Sequence, residues 1–472
     1  MTRLIAISNR VPVEHEGKTP NRGGLAVALA SALRESNGIW FGWSGSQTDE
    51  FTGQITFRRD AGVATATIDL EAQDVDEYYN GFANRTLWPL FHYRLDLTEI
   101  ARDFAGGYAR VNNRFADTVG PLIEPEDLIW VHDYHLMPLG QMLRERGFGN
   151  RLGFFLHVPW PPPSLLMSLP NHRELVTSLL SYDVIGFQSA EWRQAFMDYV
   201  TAHLEAEMDD DIVRLGKHTS RLLVCPIGLD TAEFIAAGKG KAAERAQARL
   251  TASAVGRDVI VGVDRLDYSK GLQERFAAYE LLLNSRPDLC EKVFMLQIAP
   301  PSRGDVPNYQ QIRVELNTLS GSINGEFAGI DWVPLRYVNQ GYSRDELFGI
   351  YRASRVGLVT PLRDGMNLVA KEYVAAQDPD DPGVLVLSCF AGAAAQLEEA
   401  VIVNPHSSED IVDGISRALA MPLAERKVRH QAMLKCVVEQ DVQWWSHTFM
   451  EALAVGAEGR ASPAMAAAPS AE

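Results

Sequence analysis

The sequence predicts an α/β protein built of two doubly wound domains that face each other across a cleft. Its 472 residues exceed what one ordinary hydrophobic core accommodates. Short β-branched runs alternate with amphipathic segments, the pattern of parallel strands joined by crossover helices. Residues 231–255, rich in Ala, Lys and Glu without a β-branched run, divide these runs into two sets.

The first set is RLIAIS, DLIWVH, RLGFFLHV, DVIGF and LLVCPIG, and the second is DVIVGVD, VFMLQIA, RVGLVT, VLVLS and AVIV. Each is a short apolar run bounded by polar or turn residues, as a strand covered on both faces requires. The expected N-terminal domain is therefore 1–230 and the C-terminal domain 231–439. Residues 440–455, QDVQWWSHTFMEALAV, read as a last helix whose Trp444, Trp445 and Phe449 need a surface to cover. Residues 456–472 are small and Pro-containing, and disorder is the expectation there.

Composition narrows the function. With 46% hydrophobic and 22% charged residues the chain reads as globular, and a formal net charge of −17 without a basic stripe argues against nucleic acid as a partner. An anionic substrate must then be held by local clusters of cations. Cys225, Cys290, Cys389 and Cys436 lie far apart with no CxxC pair, which points to buried reduced thiols and not to a disulfide framework or zinc site. No stretch approaches the ~18 apolar residues of a membrane helix, and the apolar run in MTRLIAISNR is too short for a signal peptide. A cytoplasmic protein is expected.

In open α/β sheets ligands bind beyond the carboxyl ends of the strands, and here the polar residues cluster just after the apolar runs. RLIAIS leads to Asn9, Arg10 and then RGGLAVALASAL, where Gly23 and Gly24 form either a helix start facing an anion or a plain glycine turn. DLIWVH leads to Asp133, an acceptor for a hydroxyl or a general base. HDYH lacks the helical spacing and third ligand of a metal site. RLGFFLHV ends in His157 and PWPPP, and this histidine serves the site or the core. DVIVGVD leads to RLDYSKG, in which Arg265 and Lys270 either neutralise a diphosphate or pair with Asp264 or Asp267 at the surface. RVGLVTP leads to LRDGMNLVAKEYVAAQ. In DEYYNGFANRTLWPLFHYR, Tyr78, Tyr79, Trp88, His92 and Tyr93 offer apolar faces for a sugar or simply pack the core.

Taken in order, SNR, RGGL, WFGWSG, DEYYNGFANRTLWPLFHYR, WVHDYHL, GFFLHVPWPPP, DRLDYSKGL, PSRGD and LRDGMNLVAKEYVAAQ resemble the trehalose-6-phosphate synthase family over most of residues 3–450. The resemblance implies a GT-B fold, two facing Rossmann-like domains with the last helix returning to the first. It implies metal-independent, retaining transfer of glucose from a nucleotide-glucose, UDP-glucose foremost, to glucose 6-phosphate, with no cofactor. A homo-oligomer, dimer or tetramer, is compatible with it.

By the same resemblance Arg10, Tyr79, Asp133 and Arg303 hold glucose 6-phosphate, the two arginines on its phosphate, and Trp88 packs near the acceptor. Gly23, Gly24, Arg265 and Lys270 face the donor diphosphate. His157 and Asp364 bond the transferred glucose, and Glu372 the ribose hydroxyls. The amides of Leu368 and Val369 face phosphate, Ala370 and Lys371 continue that donor-binding stretch, and Tyr342 stands beside the base. The Lys371 side chain is expected to turn away as a solvated or ion-paired cation. PWPPP departs from the Phe and single following Pro of many relatives, and Trp160 is expected to reshape the acceptor rim. Two rivals are set aside by the residues present: a GT-B enzyme with another acceptor does not need Arg10, Tyr79 and Arg303 together, and a non-catalytic regulatory homologue would have lost some of Arg265, Lys270, Asp364 and Glu372.

Overall fold

A computed structural model of the chain describes residues 3–12, 29–30, 32–34, 36–60, 62–301 and 307–456. The strands are β1 (Leu4–Arg10), β2 (Ile39–Thr48), β3 (Thr56–Asp60), β4 (Val63–Glu71), β5 (Leu128–His132), β6 (Arg151–Phe155), β7 (Val184–Phe187), β8 (Glu207–Asp209), β9 (Ile212–Leu215) and β10 (His218–Val224). They continue with β11 (Asp258–Val263), β12 (Val293–Ile298), β13 (Leu335–Val338), β14 (Val356–Val359), β15 (Val384–Ser388) and β16 (Val401–Val403). Among the described residues these form two sheets, in the orders β3-β4-β2-β1-β5-β6-β7-β10-β9-β8 and β13-β12-β11-β14-β15-β16.

The second sheet is parallel throughout. The first is parallel from β4 to β10, with β3 and the β8–β9 hairpin antiparallel at its edges. In both, the strand order runs outward from the first strand, turns back and runs outward on its other side. The reversals fall between β1 and β5 and between β11 and β14, the switch points where a doubly wound sheet leaves a crevice.

All ten expected strands are present. Those the sequence did not announce have physical reasons for their silence. β4 alternates Ala and Thr and so lacks an apolar run, while the short apolar start of β2, IWFGW, gives way to SGSQT, which does not read as a strand. β13 is a half-buried edge, and β3, β8 and β9 are short antiparallel margins.

The last helix, Val442–Val455, returns to the first sheet. Phe449 stacks on Trp130 of β5 with ring centroids 4.5 Å apart and planes at 8°, and Trp445 lies 4.8 Å from the same ring. Gly153 of β6 and Gly186 of β7 make the room, since a Cβ there would stand 2.6 and 2.9 Å from the Phe449 ring. Where the chain passes between the halves, its two passages touch: the Val442 amide donates to the Leu229 carbonyl at 3.0 Å, and a Cβ on Gly228 would fall 2.1 Å from the Asp441 carbonyl carbon. All four cysteines are free. Cys389 is exposed, against the expectation that every thiol is buried, because it follows β15 on the loop where the strand leaves the core. Among the described residues no helix is long and apolar enough to cross a membrane.

Candidate active site

The turns after β1, β5 and β6 supply one wall. Asp133 follows β5 at φ +75° and ψ 166°, a region that a non-glycine residue occupies at a cost of about 1–3 kcal/mol and that concentrates at functional sites. Its amide donates to the Phe155 carbonyl at 2.8 Å and its Oδ1 accepts from the His157 amide at 3.2 Å, so one residue ties the two turns together. Arg10 ends β1 with its guanidinium 5.6 Å from the Trp43 ring; Trp43 meets Tyr79 edge-on at 5.5 Å, and Tyr79 stacks on His135 at 6.0 Å. Arg10 and Tyr79 thus border one region, reached from Asp133 through His135 two residues on. The two histidines of HDYH part company, His135 toward Tyr79 and His132 toward His157, whose Nε2 lies 3.2 Å from His132 Nδ1. Burial lowers His157 to about 3 and keeps it neutral.

The aromatic segment Val75–Leu87 winds as a π-helix, a wide form found often at functional sites. Tyr78 and Trp88 are buried core rings, while Tyr79 is half-exposed. His92 Nδ1 meets the Trp88 carbonyl at 2.7 Å, and burial lowers His92 to about 4.

The second half supplies the facing wall. After β11 the chain turns at Gly271, φ +66°, where a Cβ would stand 2.3 Å from the Thr360 carbonyl. Arg275, wholly buried, braces this turn by donating to Asp264 at 2.6 Å, Gln297 at 2.8 Å, Thr360 Oγ1 at 3.0 Å and the Lys270 carbonyl at 3.3 Å. Asp264 therefore pairs with Arg275 and not with the site cations. Lys270 Nζ reaches Asp364 Oδ2 at 2.5 Å, and the same oxygen accepts from Asn367 Nδ2 at 3.1 Å. Burial acts to raise the Asp364 carboxyl, but Lys270, His92 and Asn367 together outweigh it and hold it below the ordinary value. Asp364 Oδ1 takes no hydrogen bond among the described residues.

The two walls meet. Arg265, exposed after β11, lies 5.8 Å from the Trp88 ring of the other half. Gly365 packs on the turn after β6, where a Cβ would stand 2.1 Å from the His157 carbonyl oxygen and 2.8 Å from Val158 Cα. His157, Trp88, Arg265, Lys270 and Asp364 therefore converge on one seam between the two switch points.

The helix Leu368–Ala376 begins at Asn367, φ +75°, whose Oδ1 caps it by accepting the Ala370 amide at 3.2 Å. First-turn amides have no partner within a helix, so those of Leu368 and Val369 point out of its end. Glu372 stands one turn in, partly open to the cleft. Burial pushes its carboxyl up to about 7 against the pull of Arg344 and of Tyr351, whose hydroxyl donates to Oε2 at 3.3 Å. Tyr342 is half-buried on the loop leading to the helix Arg344–Arg352, with Gln340 Nε2 at 3.4 Å from its hydroxyl.

The Ala370 amide is taken by the cap and its side chain is buried. Two expectations are corrected. Lys371 meets neither solvent nor an acid: it is 1% exposed, and its Nζ donates to the Ile227 carbonyl at 2.7 Å, because this face of the helix lies on the segment joining the halves. Burial lowers that amine to about 7. Trp160 is not on the acceptor rim but wholly buried beneath it, edge-on to Phe196 at 5.0 Å and Phe91 at 5.4 Å. Gly23, Gly24 and Arg303 lie outside the described residues, as do residues 457–472. Asn367, Arg275, Tyr351 and Gln188 were not anticipated; only Asn367, an Asn before an apolar helical run, carried a readable signal, that of a helix cap.

The model of glycosyltransferase family 20 matches residues 2–455. The chain belongs to that family. Among family relatives, the trehalose-6-phosphate synthase of Cronobacter sakazakii is 48% identical over 455 residues, covering 96% of this chain and 95% of its own length. The Escherichia coli structure bound with UDP-2-fluoro glucose superposes with a TM-score of 0.91 at 45% identity, over 96% of this chain and 99% of that one. The UDP-forming alpha,alpha-trehalose-phosphate synthase of Burkholderia xenovorans in complex with glucose-6-phosphate gives a TM-score of 0.91 at 46% identity, over 96% and 100%. The family fold is GT-B, and the paired sheets of this chain have it.

Proposed function

We propose that this chain transfers glucose from UDP-glucose to glucose 6-phosphate with retention, giving α,α-trehalose 6-phosphate and UDP. The observation that carries the reading is the seam itself, where Gly365 rests on the His157 carbonyl and Arg265 approaches Trp88. Neither half alone holds the whole set. Family relatives bind the two substrates separately, one a UDP-2-fluoro glucose and another glucose-6-phosphate.

In this reading Arg10, Tyr79, Asp133 and Arg303 hold the acceptor, with Trp88 beside it. Arg265 and Lys270 neutralise the donor diphosphate and the charge that grows on it as the glycosidic bond breaks. Gly23 and Gly24 approach that diphosphate, the Leu368 and Val369 amides face phosphate, Glu372 receives the ribose hydroxyls, and Tyr342 stands beside the base. Asp364 is fixed through Oδ2 by Lys270 and Asn367, which leaves Oδ1 for a sugar hydroxyl. His157 bonds the same sugar.

A carboxylate so fixed orients and does not attack. Transfer on one face follows, the leaving phosphate taking the proton of the acceptor hydroxyl, with positioning and electrostatics supplying the rate. Because two side chains meet the diphosphate in this reading, EDTA is expected to leave the rate unchanged. A cytoplasmic setting, where free thiols stay reduced, suits the chain.

The purified protein with glucose 6-phosphate and UDP-, GDP- or ADP-glucose in turn, read by released nucleotide, tests this. Release is expected fastest from UDP-glucose and only with the acceptor present; no acceptor-dependent release from any of the three would overturn the reading.

A further inference from the structure

Lys371 begins a chain of buried hydrogen bonds that runs out of the second half and into the first. Its Nζ donates to the Ile227 carbonyl at 2.7 Å. The Ile227 amide donates to Gln188 Oε1 at 2.8 Å, Gln188 Nε2 lies 3.3 Å from His157 Nδ1, and His157 Nε2 lies 3.2 Å from His132 Nδ1. Lys371, Ile227, Gln188 and His132 are each at most 3% exposed.

The direction of every bond is forced. A backbone amide only donates, so the Gln188 atom facing Ile227 is the oxygen and the one facing His157 is the NH₂ group. His157 Nδ1 must then accept. A neutral imidazole carries one proton, which places it on His157 Nε2, and His132 Nδ1 in turn accepts it. Burial keeps both rings neutral. From the Ile227 amide onward the bonds run head to tail through the Gln188 amide and the His157 ring and polarise one another.

The donor-side elements thus touch the first half at two linked places. Gly365 lies on the His157 carbonyl, and six residues later Lys371 holds the carbonyl of Ile227, the residue whose amide, on the other side of its Cα, holds Gln188 and, through it, the His157 ring.

We propose that Lys371 and Gln188 are positioning residues for glucosyl transfer, fixing one tautomer and one orientation of His157 relative to the helix that carries Glu372. This rests on the assignment of His157 to the donor-sugar pocket. Neither side chain touches substrate; Lys371 acts through Ile227 on Gln188, and Gln188 acts directly on the His157 ring, so they act as one device.

The test has two arms. Imidazole ¹⁵N shifts of the full-length protein above neutral pH are expected to show His157 protonated at Nε2 alone. Gln188→Glu replaces the donor toward His157 with an acceptor while keeping one for Ile227, so Nδ1 gains a proton. A wild-type Nδ1 proton, or the same protonation in both proteins, overturns the chain.

In the kinetic arm, Lys371→Met and Gln188→Leu each lower kcat by about ten- to a hundredfold with the KM for either substrate within about threefold, since loss of alignment falls on the reacting geometry. The double variant loses no more than the worse single, as linked residues do. A multiplicative loss overturns the shared device. The expected tautomers with unchanged kcat would instead overturn the place of His157 in the reaction, while nucleotide release by wild type still reads the overall activity separately.

Discussion

Gly365→Ala adds one methyl at the seam. The new Cβ would stand 2.1 Å from the His157 carbonyl oxygen and 2.8 Å from Val158 Cα, and on the other side Gly392 leaves no slack, its own Cβ position lying 2.0 Å from the Gly365 carbonyl. Contacts of a Cβ below about 3 Å are essentially never seen, so the turn bearing Asp364 and the turn bearing His157 must part by about 1 Å, a misplacement that costs about a hundredfold in rate. In free energy this is about 2.7 kcal/mol of transition-state stabilisation. The donor half itself is not rebuilt, so the affinity for UDP measured by calorimetry is expected to stay within about threefold, and the melting temperature to fall by only a few degrees. Initial rates of UDP release with both substrates saturating provide the assay. A kcat within about threefold of wild type, in a protein shown to be folded, would refute the seam as the place where the reacting groups are aligned.

Other perturbations follow from the charges. Asp364→Ala leaves the Lys270 ammonium, whose side chain is 10% exposed, without its carboxylate; turnover is expected to vanish and stability to drop by about 3 kcal/mol, read by urea unfolding. The Lys371 amine has a folded value of about 7 against 10.5 when solvated, so the native state binds fewer protons than the unfolded one and stability from this group rises with pH across that window. Relative to Lys371→Met, wild type is expected to gain about 1 kcal/mol per unit between about pH 7 and 9; parallel stability curves would contradict the burial of a titrating amine. Arg303→Ala is expected to raise the KM for glucose 6-phosphate at least tenfold and leave UDP affinity nearly intact, and equal loss of both would remove Arg303 from the acceptor phosphate. Mass spectrometry during turnover is expected to show no glucosyl adduct on Asp364.

The fold was legible where burial on both faces forces continuous apolar runs, as in VLVLS of β15, and silent where small residues fill a strand, as in β4 and the second half of β2. The candidate site was legible as polar residues at strand ends: Asp133, His157 and Asp364 stand where an open α/β sheet binds its ligands. What escaped were residues whose reasons lie far along the chain. Gly365 is small because of a carbonyl more than two hundred positions earlier, and Lys371 is buried by a peptide at Ile227. Neither helical periodicity nor residue type encodes such a neighbour. Trp160 misled for the same cause, since a large ring in a Pro-rich turn reads as surface until Phe91 and Phe196 enclose it.

The two passages of chain between the halves lie against each other at Gly228 and Asp441. A single covalent tether would permit the halves to twist and slide as well as swing. Two tethers side by side act like the paired leaves of a door hinge and leave one easy motion, rotation about the line through both. The path by which Arg265 approaches Trp88 is then a property of the joint and not of the sugar nucleotide. An insertion in one passage alone would restore the lost freedoms and broaden the set of arrangements in which the seam meets.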